Sequence, residues 1–216
     1  MRIGPKSTAP LWWRRTPKLP AALAVAFVLA GPAMPESGPA ARQRQCLALI
    51  AYAEAAAEGV KGMAAVIQVV RNRARHEAFP DDACAVVAED GQFQPLNERP
   101  YLRRAVSHGG PLDLERLLDV DTGFTRMMLR QARGLAAADD ADTDPTGGAL
   151  FFVNPDLMDP ERCPWFARLR RTTKVGNHVF LREYADGETR RGPALNCSAV
   201  GKSRYLLAAK GKRKTG

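Results

Sequence analysis

One glutamate, Glu54, stands out among the ionisable residues because it lies in a helical run of alanines. The stretch from Ala51 to Arg73 predicts two helices joined at residues 59–62, and the nearest other acid is Glu58. Two interpretations stay open from this stretch alone. Glu54 is either a solvated side chain on a helix of strong helix formers, or an acid whose pKa is raised by a poorly solvated cleft. Cleavage of a glycosidic bond requires an acid of the second kind.

Other hydrolytic chemistries lack their residues in this sequence. The chain has three histidines and no HExxH pattern, which argues against a metal hydrolase, so we expect no metal site. A serine triad would need a G-x-S-x-G turn, and the four cysteines are better explained as disulfides than as a nucleophile. Carboxylate chemistry is what remains.

The segment around Gln92 and Phe93 has residue types that suit a sugar. Amide groups hydrogen-bond hydroxyls and aromatic faces pack on pyranose rings, so the turn at residues 90–95 predicts a sugar-contacting wall. The alternative is a turn with one buried phenylalanine.

Charge and the amino terminus indicate where the protein works. The net charge of +9 and the sequence pI of about 9.8 favour a polyanionic partner such as nucleic acid, an anionic membrane surface or an acidic cell-wall polymer. Aromatic residues make up 7% of the chain, too few for rows of base-stacking platforms, so we expect no nucleic-acid partner. Residues 1–33 read as a basic and then apolar signal peptide, with an uncleaved anchor as the alternative. We therefore predict export to the periplasm, envelope or exterior, with no stable membrane partner beyond this segment.

The helices and strands that must position these residues follow in an order that indicates an α+β fold, with helices first and a small antiparallel sheet afterwards. A linker over residues 34–42 precedes one domain at 43–200 and a basic, disordered tail at 201–216. We expect helices near 44–58, 61–75, 82–88 and 122–138, an irregular surface excursion at 97–121, a β-type run at 149–153 and a hairpin at 172–182. Of the three possible cysteine pairings we predict Cys46–Cys84 and Cys163–Cys197, since each lies in one half of the chain. Asn72 could cap a helix or hold a loop.

Several short motifs in one order resemble the SleB-type cell wall hydrolases, the spore-cortex-lytic and related peptidoglycan-degrading enzymes, over about Cys46 to Tyr184. They are Y-A-E-A with Glu58 and Gly62, V-V-R-N-R at 69–73, F-P at 79–80, C-A-V-V at 84–87, G-Q-F at 91–93, D-P-T-G-G-A-L-F-F-V-N-P at 144–155 and G-N-H-V-F at 176–180. The resemblance implies a compact lysozyme-like or lytic transglycosylase-like domain. It implies cleavage of the bond between N-acetylmuramic acid and N-acetylglucosamine in peptidoglycan glycan strands, with no cofactor. We expect a monomer.

The same resemblance suggests residue roles. The family's catalytic acid, the first Glu of its E-A-R-G-E motif, falls on Glu54, and Gln92, Asn154 and His178 fall on positions near the cleft. Together with Phe93 they are the predicted substrate contacts. Glu58 is expected to support the turn or to pair with Arg73.

The sequence departs from the family pattern at four places. Ala56-Ala57 replaces Arg-Gly, Gln94 replaces a common Ser, Phe151-Phe152 lacks the usual Tyr, and the excursion at 97–121 is longer than typical. These departures keep a second hypothesis open, a non-catalytic exported peptidoglycan-binding or remodelling-accessory protein with a degenerate active site. If the protein is an enzyme, we favour a lytic transglycosylase with one carboxylate, because no other acid has a motif position. Glu58, Asp90 and Asp144 are the acids that could otherwise serve a hydrolase.

Overall fold

Two long helices form the base of the domain. The computed structural model describes residues 38–138, 143–190, 192 and 194–201. Helix α1 spans Pro39–Ala55, a 3₁₀ turn covers Ala56–Glu58, and helix α2 spans Gly59–Ala74. Gly59 has a positive φ of 73°, which lets the chain turn sharply between the helices. The predicted apolar stripe of α2 is confirmed, because its four members are all buried: Met63, Val66, Ile67 and Val70.

Helix α1 begins earlier than predicted. Its first residue is Pro39, five residues before the expected start near Arg44, and proline is well suited to the first turn of a helix. Residues 39–42 of the predicted linker are therefore helical. Arg42 holds them in place, since its Nη2 donates to the carbonyl oxygens of Ala105 and Val106 at 2.9 and 2.8 Å. The predicted signal peptide, residues 34–37 and residues 202–216 of the tail lie outside the described residues.

Five further helices complete the larger apolar core. They are α3 (Ala83–Ala88), α4 (Gln94–Glu98), α5 (Pro100–Ser107), α6 (Leu114–Leu117) and α7 (Gly123–Ala137). The predicted N-cap of α3 is confirmed, because Asp82 Oδ1 accepts a hydrogen bond from the Ala85 N–H at 2.9 Å. The predicted irregular excursion at 97–121 is wrong. It contains α5 and α6, and it contributes to the core the side chains of Leu102, Val106, Leu112, Leu114 and Leu118.

A three-stranded antiparallel sheet follows the helices, as predicted. Strands β1 (Phe151–Val153), β2 (Arg170–Val175) and β3 (His178–Arg182) lie in the order β1-β3-β2, with the short helix α8 (Cys163–Phe166) between β1 and β2 in sequence. The central strand β3 is the most buried of the three. Residues 176–177 form the predicted hairpin turn. The α+β prediction is therefore confirmed.

Two contacts fix the sheet to α2. Ala65 and Val69 pack with Ala149 and Phe180 in a buried cluster. Asn72 Nδ2 donates to Asp144 Oδ2 at 3.1 Å, to Thr146 Oγ1 at 3.3 Å and to the Ala149 carbonyl oxygen at 3.1 Å. Asn72 thus holds the loop before β1, one of the two roles predicted for it.

Both predicted disulfides are confirmed. Cys46–Cys84 ties α1 to α3, and Cys163–Cys197 closes the smaller core around the sheet. Across the part of the chain that the structure describes, no helix has both the length and the apolar character needed to cross a bilayer.

Candidate functional site

Glu54 lies at the penultimate position of α1 and is partly buried. Burial raises the pKa of its carboxyl group to about 7, and the negative charges of Glu98 and Glu58 act in the same direction. A hydrogen bond from the Gln94 backbone and the positive charge of Arg73 oppose this rise. Of the two interpretations of Glu54, the structure supports the acid with a raised pKa.

A direct titration tests the raised pKa of Glu54. We expect the ¹³C chemical shift of the Glu54 carboxyl carbon to change with a midpoint near pH 7, because the folded protein disfavours the ionised form. Comparison with a Glu54→Gln variant assigns the resonance. A midpoint near the ordinary value of 4.5 would contradict a desolvated site.

Arg73 is a buried cation beside Glu54. Its Nε donates to the Leu150 carbonyl oxygen at 2.7 Å, which fixes the start of β1. The guanidinium carbon lies 5.3 Å from the ring centres of Phe79 and Phe93 and 5.8 Å from that of Phe151. Desolvation lowers the Arg73 pKa to about 10, and the carboxylates of Glu89 and Glu54 partly offset that effect. Arg73 therefore remains charged at neutral pH and favours the ionised form of Glu54.

Glu58 pairs with the β2–β3 hairpin, not with Arg73 as one of our two expectations had it. Its Oε2 lies 2.9 Å from His178 Nδ1, and its Oε1 accepts the Asn177 N–H at 3.2 Å. The side chains of Glu58 and His178 are only 8% and 9% exposed. Residues 120 positions apart in sequence thus form a nearly buried contact between the turn after α1 and the tip of the hairpin.

Two glycines leave room for the Glu58 side chain. A Cβ atom added at Gly62 would lie 2.6 Å from Glu58 Cβ, and one at Gly176 would lie 2.7 Å from Glu58 Oε2. Real Cβ atoms essentially never approach other atoms that closely. A glycine at position 62 is therefore required by the place of Glu58 Cβ. At Gly176, whose φ is +56°, a side chain would both strain the backbone and push the Glu58 carboxylate aside.

The predicted substrate contacts lie in different environments. Gln92 is exposed on the turn before α4, two residues ahead of Gln94. Phe93 is fully buried, so its ring offers no face to a sugar in this structure and the prediction of a direct contact is corrected to a packing role. Asn154 begins the turn after β1, where its Oδ1 accepts the Asp156 N–H at 3.1 Å. His178 is buried against Phe152, with ring centres 5.1 Å apart, as well as paired with Glu58.

Two residues that act on Glu54, Gln94 and Glu98, were not predicted from the sequence. Gln94 hydrogen-bonds to the carboxyl group through its backbone, a contact that does not depend on side-chain type. Glu98 lies one helical turn further along α4, where its Oε1 accepts a hydrogen bond from Gln94 Nε2 at 2.6 Å. The departure from Ser at position 94 was the one available signal, since it marked the position directly after the Gln-Phe motif.

The other acids considered as partners for Glu54 are engaged elsewhere. Asp144 accepts hydrogen bonds from the backbone N–H groups of Thr146 and Gly148 at 2.7 and 2.6 Å, and from Asn72. Asp90 forms an ion pair with Arg103. A concavity of about 500 Å³ does lie beside Asp144, but it is lined from α2, α7 and residues 143–145 and not by Glu54.

A protein-family model described as Cell Wall Hydrolase matches residues 57–181. The matched range includes Glu58, Arg73, Gln92, Asn154 and His178, and it begins three residues after Glu54. The altered Ala56-Ala57 lies at that boundary.

Two similar proteins are both named spore cortex-lytic enzyme. A spore cortex-lytic enzyme of Halalkalibacterium halodurans is 28% identical over 136 residues, 63% of this chain and 33% of that protein. One from Bacillus cereus is 26% identical over 146 residues, 64% of this chain and 43% of that protein. The chain thus spans less than half the length of these relatives.

Two solved structures are also similar. The catalytic domain of the germination-specific lytic transglycosylase SleB from Bacillus anthracis shares 23% identity at a TM-score of 0.43, over 65% of this chain and 94% of that chain. The catalytic domain of the Bacillus cereus SleB protein shares 22% identity at a TM-score of 0.45, over 71% of this chain and 99% of that chain.

Proposed function

The chain belongs to the cell wall hydrolase family, and we propose that it cleaves the glycosidic bond between N-acetylmuramic acid and N-acetylglucosamine in peptidoglycan, with Glu54 as the catalytic acid. The observation that carries this proposal is the Glu54 carboxyl group, partly buried and with its pKa raised to about 7. Such a group holds a proton near neutral pH and can still release it, as a general acid must.

The proposed reaction uses Glu54 twice. Protonated Glu54 donates to the glycosidic oxygen as the bond from that oxygen to muramyl C1 breaks and an oxocarbenium-like state forms. Ionised Glu54 then removes the proton of the muramyl C6 hydroxyl, whose oxygen bonds to C1 and gives a 1,6-anhydro end. Glu54 ends protonated, and no water is consumed. The positive charge of Arg73 favours the ionised Glu54 of the second step. Burial and the negative charge of Glu98 favour the protonated Glu54 of the first step.

The partners of the other carboxylates favour this one-acid route. A hydrolase would use a second carboxyl group about 5–9.5 Å from the first. Glu58 is held by His178, Asp144 by its turn and Asp90 by Arg103. Glu98 is the remaining acid whose charge acts on Glu54, so it is the candidate partner in a hydrolytic alternative.

The products of digestion decide between the routes. We expect mass spectrometry of muropeptides released from purified peptidoglycan to show 1,6-anhydromuramyl ends, and a Glu98→Gln variant to give the same ends. Reducing ends that disappear in Glu98→Gln would replace transglycosylation with hydrolysis. Binding to peptidoglycan with no released product would favour the accessory-protein hypothesis instead.

The same proposal includes the partner, the location and the oligomeric state of the protein. The partner is the glycan strand of peptidoglycan, the protein is exported to the periplasm or cell envelope, and it acts as a monomer. The excess of basic residues suits an acidic wall polymer, as the net charge of +9 indicates.

A further inference from the structure

Glu58 connects the 3₁₀ turn that directly follows α1, and so Glu54, to the β2–β3 hairpin. It lies four residues after Glu54, across the 3₁₀ turn that ends α1, and both of its carboxylate oxygens contact the hairpin turn through Asn177 and His178. We name Glu58, Asn177 and His178 the hairpin clamp.

The contacts continue from the clamp back to Glu54. The His178 ring meets the Phe152 ring edge-on at 5.1 Å, and the Phe152 ring lies 6.2 Å from that of Phe93. Phe93 immediately precedes Gln94, whose backbone hydrogen-bonds to Glu54. These contacts therefore form a closed circuit that joins the end of α1 to the start of α4.

From this closed set of contacts we propose that Glu58 is a positioning residue, which through the hairpin clamp fixes the Glu54 carboxyl group relative to the start of α4. The inference rests on the proposed function, in which Glu54 is the proton donor. Displacement of a catalytic group by about 1 Å can lower a rate about 100-fold, so small shifts of the clamp are measurable.

Gly62→Ala tests the role without changing any charge. The added methyl group would meet Glu58 Cβ at 2.6 Å and must displace it. Gly134→Ala is the matched control, because Gly134 is also helical and an added Cβ there meets nothing within 4 Å. We expect Gly62→Ala to lower kcat about 10- to 100-fold with KM nearly unchanged, and Gly134→Ala to alter neither.

The His178 imidazole nitrogen resonances provide a readout that does not depend on activity. They should move in Gly62→Ala and stay in place in Gly134→Ala. The positioning role would be overturned if Gly62→Ala moved the His178 resonances but kept the kcat of the control. It would also be overturned if Gly62→Ala lowered kcat and left those resonances in place. If the wild-type protein releases no muropeptide, the proposed function fails and the positioning role of Glu58 in catalysis fails with it. A moved resonance in Gly62→Ala would still establish the contact between Glu58 and the hairpin.

Glu58→Gln is the second variant, in case Gly62→Ala does not fold. It keeps the side-chain size and removes one negative charge. The charged groups that act on Glu54 are Glu98 from α4, Arg73 from α2 and Glu58 itself. Loss of Glu58 removes a charge that raises the Glu54 pKa, so the decline of kcat/KM at high pH should move to lower pH while kcat falls. An unchanged pH profile and kcat would overturn the proposal.

Discussion

Glu54→Gln is expected to lower muropeptide release from purified peptidoglycan about 1,000-fold or more, because glutamine cannot donate the proton that the leaving oxygen needs. The fold should stay intact, since the amide has nearly the shape of the carboxyl group that it replaces. Circular dichroism and the rate of product release measure the two effects. Glu77→Gln, at an exposed glutamate, is the control. Release at the wild-type rate would exclude Glu54 as the catalytic acid.

The same variant should be more stable than wild type in mild alkali. The Glu54 pKa is about 7 in the folded protein and 4.5 in its ordinary state, so the folded protein binds this proton more tightly. That contribution is complete below about pH 4.5 and is lost as the pH rises through about 7. At about pH 8, Glu54→Gln should therefore gain up to about 3 kcal/mol in free energy of unfolding, and at about pH 4 close to nothing. Urea denaturation at both pH values measures the difference, and equal stability at about pH 8 would contradict the buried acid.

Arg73→Met should both destabilise the fold and shift the pH dependence of kcat/KM. The variant leaves the Leu150 carbonyl oxygen without its 2.7 Å donor and removes the cation that lies among three phenylalanine rings. We expect a loss of about 2–4 kcal/mol in free energy of unfolding. Without the positive charge the Glu54 pKa rises further, so kcat/KM should begin to fall at a higher pH.

Arg130→Met is the control for Arg73→Met, because Arg130 is exposed on α7. Its stability and its pH profile should match those of the wild type. The shift expected for Arg73→Met is opposite in direction to that for Glu58→Gln, which makes the pair a strong test. Shifts in the same direction would mean that charge does not govern the Glu54 proton.

Local sequence signals predicted the elements around the site because those signals act over short distances. The apolar spacing in α2, the Asp82 cap and the hairpin turn at 176–177 are each set by neighbouring residues. The disulfide pairs also followed, since each joins cysteines less than 40 positions apart.

Long-range contacts could not be predicted in this way. The partner of Glu58 lies 120 positions away, and the nearer Arg73 has a charge that suits it equally well. The helices within 97–121 were missed because several basic residues and Gly109-Gly110 obscure a short apolar pattern at Leu102 and Val106. Phe93 sits on a turn in sequence, and only the packing of Phe152 shows that its ring points inward.

The position of Glu54 in the last turn of α1 has an electrostatic consequence of its own. The aligned peptide dipoles of a helix place a partial negative charge of roughly half an elementary charge at its carboxyl end. An arginine two residues after the acid, as in the family motif, would offset that charge, whereas Ala56 leaves it in place. Ala56 therefore favours the proton-bound form of Glu54. Under the proposed function, this departure from the motif would extend to higher pH the range in which Glu54 holds the proton that it donates.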